Sequence, residues 1–506
     1  MIPGIDAGGF RFKVAIPDLA GNPQILTNRL GEPSTRCVVF FAEDGSILVG
    51  TEAENAALLS PERAVSDWKG HMGTEDVLYR APDGKEYKTP DILGIILKKV
   101  KEETIEAKTG EVCEEAVITT PANYTDIQKE QTKDAAEQAG LKVLLMPHEP
   151  TAAALGNGLH KKRNCRAFVC DVGGVTTDVS IVHTKGNLCE VIATNGKQKL
   201  GGRDFNACLE EILLEEFEAL HHYLPRRKEQ PIFYQDLSVR VEQLKLSLTA
   251  SQHAQTVLSC NGDLLKATIT RDQFNSSVLP LVEEIMKMAE QTVKDANLGW
   301  DSIDEIFAVG GGIMPPIVVE HLERLAGKKV SRRCEPHCAA ALGAVIAGRL
   351  EYARLGKEYR ISTGTLPPPN FYLREILSRS IGVAVLDDNQ KEICSEMLAK
   401  DIPIPSTQAR VFKMSEPDQT DVLVRILDGE DGQEAAKCVE LGRFELKDLP
   451  ARPDLIGRIE IVFQLDVNGV LTATARDTVS GKTVELTVSY KNSADHASGA
   501  VTTAVA

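Results

Sequence analysis

The chain carries two kinds of hydrophobic pattern, one after the other. From residue 1 to about 355, short apolar and β-branched runs such as 116–120 alternate with segments whose apolar positions recur every three or four residues, such as 125–139. Thr125 and Asp126 can cap the second of these segments, and Gly140 ends it. Alternating strands and helices predict an α/β fold for this part of the chain.

The helical pattern stops at a proline-rich segment. Residues 362–369 read Ser-Thr-Gly-Thr-Leu-Pro-Pro-Pro. Proline lacks a backbone N–H and clashes with the preceding turn, so a helix cannot continue through it. We therefore predict a first domain over residues 1–357 and a linker over residues 358–374.

After the linker, strand patterns replace helical ones. The apolar runs 381–385, 422–427, 459–465 and 471–475 each precede a turn rich in aspartate, asparagine or glycine. Several short strands at this spacing predict an all-β sandwich over residues 375–490. Residues 491–506 are small and polar, which predicts a disordered tail.

Composition narrows the classes of protein. A chain of 506 residues is too long to fold around a single hydrophobic core, so more than one domain is expected. Its 57 basic and 73 acidic residues give a net charge of -16. This charge repels nucleic acid and anionic lipid, so neither is expected as a partner. The start of the chain lacks a secretion-signal pattern, and eleven scattered cysteines are typical of reduced thiols. We expect a cytoplasmic protein.

Two segments share one motif, an apolar strand that ends in aspartate and is followed by paired glycines. Asp6 precedes Gly8 and Gly9, and Asp171 precedes the pair at 173–174. Glycine turns let backbone N–H groups approach phosphate oxygens, and a carboxylate at the strand end can hold hydrated Mg²⁺. One such motif is typical of an ordinary turn, but two in one chain predict a pseudo-repeat whose halves face one cleft.

Two further glycine clusters are candidates for the same cleft. One cluster lies between an apolar strand and a helix and comprises Gly310, Gly311 and Gly312. This position is consistent with contact to a nucleotide and equally with a simple strand-to-helix turn. Gly201 and Gly202 form the other cluster. The P-loop motif and the dinucleotide-binding glycine motif are both absent from the sequence, which disfavours those two folds.

The glycine motifs, taken in their order along the chain, resemble the seventy-kilodalton heat-shock chaperone family. Two further segments belong to the same resemblance, Glu149-Pro-Thr-Ala-Ala-Ala and Leu200-Gly-Gly-Arg-Asp-Phe. Leu441-Gly-Arg-Phe-Glu-Leu and Phe463-Gln-Leu-Asp-Val-Asn-Gly extend the resemblance, which covers residues 3–490. It implies an actin-like, ribonuclease H-like ATPase domain followed by a β-sandwich that binds peptides. It also implies ATP or ADP with Mg²⁺ as cofactors.

The resemblance assigns roles to residues of this chain. The catalytic residues it implies are Lys69, Glu149, Asp171 and Thr176. Asp6 and Asp171 correspond to carboxylates that hold Mg²⁺ through water. The implied nucleotide contacts are Asp6, Gly8, Gly9, Gly173, Gly174, Thr176, Gly201, Gly202, Glu242, Lys245, Thr249, Gly310, Gly311 and Gly312. The positions matching the peptide pocket are Cys394, Phe412, Val422 and Val424, each of which lines the pocket or fills the sandwich core.

The chain departs from the family pattern at several cleft positions. Gly9 and Phe10 stand where the family has two threonines, so two hydroxyl contacts to phosphate are lost. Val175 replaces a glycine of the second loop, and Met314 replaces an arginine that stacks on adenine. His337 and Cys338 replace an acidic pair. A metal site at Cys334, His337 and Cys338 is not expected, because a fourth ligand is not evident.

Three functions are consistent with these features. The first is an ATP-dependent chaperone acting in protein folding and the stress response, in which ATP binding and hydrolysis change the affinity for exposed apolar peptide segments. Unfolded polypeptides, a J-domain co-chaperone and a nucleotide exchange factor are its implied partners, and peptide release is expected to be fast without a helical lid. The second is an adaptor or co-chaperone that binds ATP without hydrolysing it. The third, a sugar kinase, leaves the β domain without a role.

Overall fold

The computed structural model describes residues 1–361, 363–453 and 457–487. The chain divides into two compact units, one comprising residues 1–122 and 134–373 and the other comprising residues 123–133 and 374–506. Each unit contains its own large apolar core. The predicted disordered tail, residues 491–506, lies outside the described residues.

The strands of the first unit are short and scattered through its length. They are β1 (Gly4–Ala7), β2 (Arg11–Pro17), β3 (Pro23–Leu26), β4 (Thr35–Arg36), β5 (Val39–Phe41), β6 (Ile47–Val49), β7 (Ala64–Val65), β8 (Val77–Arg80), β9 (Glu86–Lys88), β10 (Glu115–Thr119), β11 (Lys142–Leu145), β12 (Asn164–Val172), β13 (Thr176–Lys185), β14 (Leu188–Gln198), β15 (His253–Cys260), β16 (Asp263–Thr270), β17 (Glu305–Val309), β18 (Tyr359–Ile361) and β19 (Gly364–Leu366).

Helices alternate with these strands. They are α1 (Thr51–Ala57), α2 (Thr89–Lys99), α3 (Ala107–Thr109), α4 (Asp126–Gln138), α5 (Glu149–Gly156), α6 (Gly202–His221), α7 (Pro231–Ala250), α8 (Arg271–Asp295), α9 (Pro316–Ala326) and α10 (Ala339–Arg354). Strand β10 and helix α4 confirm the strand and the helix predicted at 116–120 and 125–139, and the part of α4 up to residue 133 belongs to the second unit. Within the described ranges, no helix combines the length and the apolar character needed to cross a bilayer.

Two sheets of the first unit repeat one topology. In the first sheet, β1, β2 and β3 form an antiparallel meander, and β10 lies parallel to β1. In the second, β12, β13 and β14 form the meander, and β17 lies parallel to β12. Asp6 is the penultimate residue of β1, and Asp171 is the penultimate residue of β12. The two aspartates therefore occupy equivalent places in a structural repeat.

Three long helices of the first unit bury one face each beside the second of these sheets. Their apolar faces share one core with the sheet, to which α6 contributes Phe205, α7 contributes Leu237 and α8 contributes Phe274. At the start of α8, the Thr270 side chain accepts a hydrogen bond from the backbone N–H of Gln273, whose own side chain bonds back to the Thr270 backbone. This reciprocal capping satisfies backbone donors that the first helical turn leaves unpaired.

The last helix of the first unit ends before the proline-rich segment. Helix α10 ends at Arg354, and β18 and β19 pair as a small antiparallel hairpin inside the predicted linker. Further along, the ring of Phe371 stacks on His160 with 4.9 Å between ring centroids. The first part of the linker thus has secondary structure of its own.

The second unit is built from antiparallel strands. They are β20 (Tyr372–Ile376), which begins at the end of the first unit, β21 (Ile381–Leu386), β22 (Glu392–Leu398), β23 (Pro403–Ile404), β24 (Ser406–Lys413), β25 (Val422–Asp428), β26 (Val439–Leu446), β27 (Gly457–Leu465), β28 (Leu471–Asp477) and β29 (Thr483–Thr487). Strands β21, β25, β27 and β28 confirm the four strands predicted in this region.

Two four-stranded sheets, β22-β21-β25-β26 and β24-β27-β28-β29, contribute to one core in this unit. Val383 and Ile426 enter it from the first sheet, and Ile461 and Phe463 enter it from the second. Apolar and polar residues alternate along β27 and β28, since successive side chains of a strand point to opposite faces.

A buried ion pair lies at one end of this unit. The Arg458 guanidinium donates to both carboxylate oxygens of Asp477, at 2.5 and 3.0 Å, and to the Pro450 carbonyl at 2.9 Å. Burial favours a higher pKa for Asp477, but the hydrogen bonds from Arg458 and Ser480 outweigh it and hold the pKa below its ordinary value. The pair therefore stays ionised at neutral pH.

We expect Arg458→Met to destabilise the second unit by about 3 to 5 kcal/mol, because it leaves a buried carboxylate without its partner. Since the pKa of Asp477 is lowered in the folded state, this difference is present at neutral pH and shrinks as the pH falls below about 4. Hydrogen exchange of amides in β27 and β28 measures it. Arg476→Met, on the exposed face of β28, is the matched control. Equal protection in the two variants contradicts a stabilising role for the pair.

Candidate functional site

A cavity of about 370 Å³ lies in the first unit. Its walls come from the ends of β1, β12 and β17 and from α6, α7 and the start of α10. Such a place, beyond the carboxyl ends of parallel strands, is where ligands bind in α/β folds. The lining residues predicted from the sequence are Asp6, Gly8, Gly9, Lys69, Glu149, Asp171, Gly173, Gly174, Thr176, Gly202, Glu242, Lys245, Gly310, Gly311 and Gly312.

Two of the predicted nucleotide contacts do not line the cavity. Gly201 packs beneath the second glycine loop, where a Cβ would come closer than 3.0 Å to the carbonyl oxygen of Gly173. The Thr249 hydroxyl donates to the Lys245 carbonyl on its own helix, at 3.1 Å. Both residues therefore support lining residues rather than facing the cavity.

The second glycine loop is held by its backbone. Gly173 N–H donates to Thr176 O at 2.8 Å, which closes the turn between β12 and β13. The N–H groups of Gly202 and Arg203, at the start of α6, donate to the carbonyls of Gly173 and Gly174. The loop and the start of α6 are thus one rigid backbone arrangement.

Gly310 is a close-approach glycine in the third cluster. Its φ is +85°, and a Cβ there would overlap the Val172 carbonyl and the Asp171 carboxylate. Both the backbone conformation and the lack of space require glycine here. The cluster therefore brings its backbone directly against the aspartate of the second motif.

Phe10 of the first glycine loop lies against the second loop, and Val175 of the second loop lies against the first. A Cβ on Gly174 would collide with the ring of Phe10, and a Cβ on Gly9 would collide with the side chain of Val175. Phe10 and Val175 both line the cavity. Apolar groups therefore occupy part of the gap between the two loops, where the family has threonine and glycine.

Lys69 and Glu149 form a buried ion pair. The Lys69 ammonium donates to Glu149 Oε1 and to the Ala7 carbonyl, both at 2.9 Å. The two side chains are 4% and 7% exposed. Burial raises the pKa of Glu149, and the charge of Lys69 offsets part of this rise. Lys69 starts a short 3₁₀ turn, and Glu149 is the first residue of α5.

Asp171 is a buried carboxyl of the cavity with a raised pKa. Burial raises its pKa well above the ordinary value, and the negative charges of Glu149 and Asp6 raise it further. Among the residues that the structure describes, Asp171 has no ion-pair partner. This carboxyl is the one best placed to gain from a cation in the cavity.

Asp6 differs from Asp171 because it has a lysine partner. Lys13 on β2 lies directly opposite Asp6 in the ladder, and its Nζ is 3.3 Å from Asp6 Oδ2. Both side chains are nearly buried, at 11% and 12% exposed. The sequence reasoning missed Lys13. Its only signal was a lysine among the apolar residues of a buried strand.

Two arginines position Glu242 at another wall. Arg36 donates to Glu242 Oε2 at 2.9 Å, and Arg11 donates to Oε1 at 3.3 Å. Burial favours a higher pKa for Glu242, but the two guanidinium groups outweigh it and lower the pKa. Lys245, one turn along α7, donates to the Gly202 carbonyl at 2.9 Å, and burial lowers its pKa to about 8. Sequence reasoning missed both arginines.

The predicted peptide positions fall into two groups in the second unit. Cys394 is 0% exposed and Val424 is 3% exposed, so both lie in the interior. Phe412, near the end of β24, and Val422, at the start of β25, are half-buried and pack on the edge of the core. Only the second pair presents apolar surface to solvent.

We expect Gly310→Ala to cost about 3 kcal/mol of stability, from a positive φ and from overlap with Asp171. Gly327→Ala is the matched control, because its φ is +65° and no atom lies within 4 Å of a Cβ there. That variant bears the conformational strain alone, about 1 kcal/mol. Urea unfolding measures both, and equal losses contradict the close packing of Gly310 on Asp171.

The model of the family described as Hsp70 protein matches residues 2–82 and 74–501, which is nearly the whole chain. Members of this family generally bind ATP or ADP with Mg²⁺ and bind unfolded peptides. The chain belongs to the Hsp70 family, whose members are in general ATP-dependent chaperones.

Proposed function

We propose that this chain is a chaperone whose actin-like first unit binds ATP and whose β-sandwich second unit binds exposed apolar peptide segments. The observation that carries the proposal is the meeting of Asp6, Asp171 and three glycine clusters around one cavity. In this proposal the domains have the predicted bounds, 1–357 and 375–490. Unfolded polypeptides, a J-domain co-chaperone and a nucleotide exchange factor are its partners.

Each wall of the cavity has a part in nucleotide binding. Backbone N–H groups of the loops at Gly8 and Gly173 face the phosphates, since glycine turns form anion-binding concavities. Glu242 and Lys245 contact the ribose and the base from α7. Met314, 38% exposed, offers an apolar surface to the adenine ring.

The Mg²⁺ that family members bind with nucleotide fits this donor set only in part. Asp171 is a buried carboxylate without an ion-pair partner among the described residues, which suits a hydrated cation. Asp6 does not offer the same donor, because Lys13 lies 3.3 Å from its Oδ2. We therefore assign the metal-facing role to Asp171 alone and derive no step through the metal.

Hydrolysis requires a positioned water and stabilisation of charge on the γ-phosphate. The Lys69 ammonium, held inside the cavity by Glu149 and the Ala7 carbonyl, is suited to that charge. The raised pKa of Glu149 makes its carboxylate a better proton acceptor than an exposed glutamate. Thr176, buried beside the loop at Gly173, completes the group of catalytic residues.

One observation favours the second candidate, an adaptor that binds ATP without hydrolysing it. The ring of Phe10 lies against Gly174, and Val175 lies against Gly9, so both loops bear apolar groups that face the gap between them. Apolar groups here exclude the ordered water and the hydroxyl contacts that in-line attack on a phosphate uses. Nucleotide binding and hydrolysis therefore have to be measured separately.

For the chaperone we expect Lys69→Ala to lower the single-turnover rate of ATP hydrolysis about 10²-fold, since it removes a preorganised charge from the transition state. Calorimetric ATP binding by the same variant separates loss of chemistry from loss of fold. Lys228→Ala, at an exposed surface lysine, is the control. Equal rates for the wild type and Lys69→Ala instead support the adaptor.

In the second unit we propose that Phe412 and Val422 contact peptide while Cys394 and Val424 support them from the interior. Phe412→Ala is then expected to weaken binding of a labelled apolar peptide about tenfold, because a partly exposed aromatic anchor is lost. Val411→Ala removes the neighbouring exposed side chain and serves as the control. Fluorescence anisotropy measures affinity, and circular dichroism verifies folding. Equal affinities of the two variants contradict the assignment.

A further inference from the structure

Lys13 lines the cavity together with Lys69 and Lys245. Its side chain is 11% exposed and lines the cavity, with Nζ 3.3 Å from Asp6 Oδ2. The ladder between β1 and β2 places Lys13 directly opposite Asp6. Since both positions belong to a buried sheet, the ammonium cannot swing out to bulk solvent without disturbing that sheet.

The Lys13 ammonium offsets negative charge in the cavity. Glu242, Arg11 and Lys245 lie together at one wall, and the rest of the cavity holds three carboxylates, Asp6, Glu149 and Asp171, with two ammonium groups, those of Lys13 and Lys69. Lys69 pairs with Glu149 and Lys13 with Asp6. The positive charge of Lys13 also reaches the other two carboxyls, where it lowers the pKa values that burial raises. Lys13 thus acts at the centre of the carboxylate group.

Two further neighbours of Lys13, His337 and Cys338, do not compensate its positive charge. Burial lowers the pKa of His337, and burial raises the pKa of Cys338, so both side chains are neutral near pH 7. A divalent cation on Asp6 would lie beside the Lys13 ammonium, and two cations that close repel each other. A phosphate oxygen in the same place would be attracted.

We propose that Lys13 is a tethered cation that neutralises the polyphosphate of a bound nucleotide, so that nucleotide binding by this chain depends little on Mg²⁺. The proposal rests on nucleotide binding in the cavity, as proposed above. The Lys13 ammonium is already removed from water and held in place by Asp6. It can therefore bind a phosphate oxygen without a further loss of side-chain freedom. Such preorganisation lowers the cost of binding.

The test is calorimetric titration of the full chain with ATP, once with excess Mg²⁺ and once with excess EDTA. We expect the wild-type dissociation constants in the two conditions to agree within about threefold. Lys13→Gln is expected to bind ATP at least tenfold more weakly than the wild type in EDTA and to recover most of that loss in Mg²⁺. Lys13→Arg keeps the charge and is expected to retain binding in EDTA.

Lys266→Gln is the control, because it makes the same change of charge on the exposed face of β16. If Lys13→Gln does not fold, the wild type and Lys13→Arg still decide the question. Wild-type binding that weakens tenfold or more in EDTA overturns the role of Lys13 but leaves nucleotide binding intact. The role of Lys13 is also overturned if the affinity for ATP changes by the same factor between Mg²⁺ and EDTA in the wild type and in Lys13→Gln. No heat of ATP binding in either condition overturns both proposals.

Discussion

Burial of like charges in one cavity governs the chemistry of the first unit. Asp6, Glu149 and Asp171 lie together where water is scarce, and burial raises the pKa of Glu149 and Asp171. Two lysines relieve part of the repulsion through close ion pairs. What remains is one carboxyl, Asp171, whose ionisation depends on a cation that the described residues do not supply. A ligand of this cavity therefore either brings such a cation or binds beside Asp171 in its protonated, neutral form.

The repeated meander explains why these groups meet. Each half of the first unit ends its first strand with an aspartate and follows it with a glycine turn, so the repeat brings two equivalent turns to one cavity. Backbone packing around Gly310 and Gly201 then leaves no room for a Cβ at either position. The two halves are not chemically equal, however, because Asp6 has a lysine partner and Asp171 has no ion-pair partner within the described part of the chain.

Membership of the Hsp70 family accounts for the general character of the chain but not for the details of its cleft. A fold is shared by many proteins, whereas chemistry depends on the side chains of one site. In this chain, Phe10 and Val175 shape the space between the loops, and Lys13 contributes a positive charge beside Asp6. In the second unit, Cys394 and Val424 match family positions as well, but both are buried and can support a binding surface only from the interior.

The sequence by itself determined the strands, the helices and the order of the motifs, because these depend on local periodicity and on turn residues. The strands at 116–120 and 459–465 and the helix at 125–139 follow from such signals. Only the tertiary structure decided which side chains share the cavity. Lys13 and Arg11 line it, and Arg36 holds Glu242 at its wall, through pairing between residues that are distant in the sequence. A local pattern does not specify such partners, even where it shows an unusual lysine in a buried strand. Gly201 and Thr249 lie behind the cavity wall for the same reason, since burial depends on what packs against a residue.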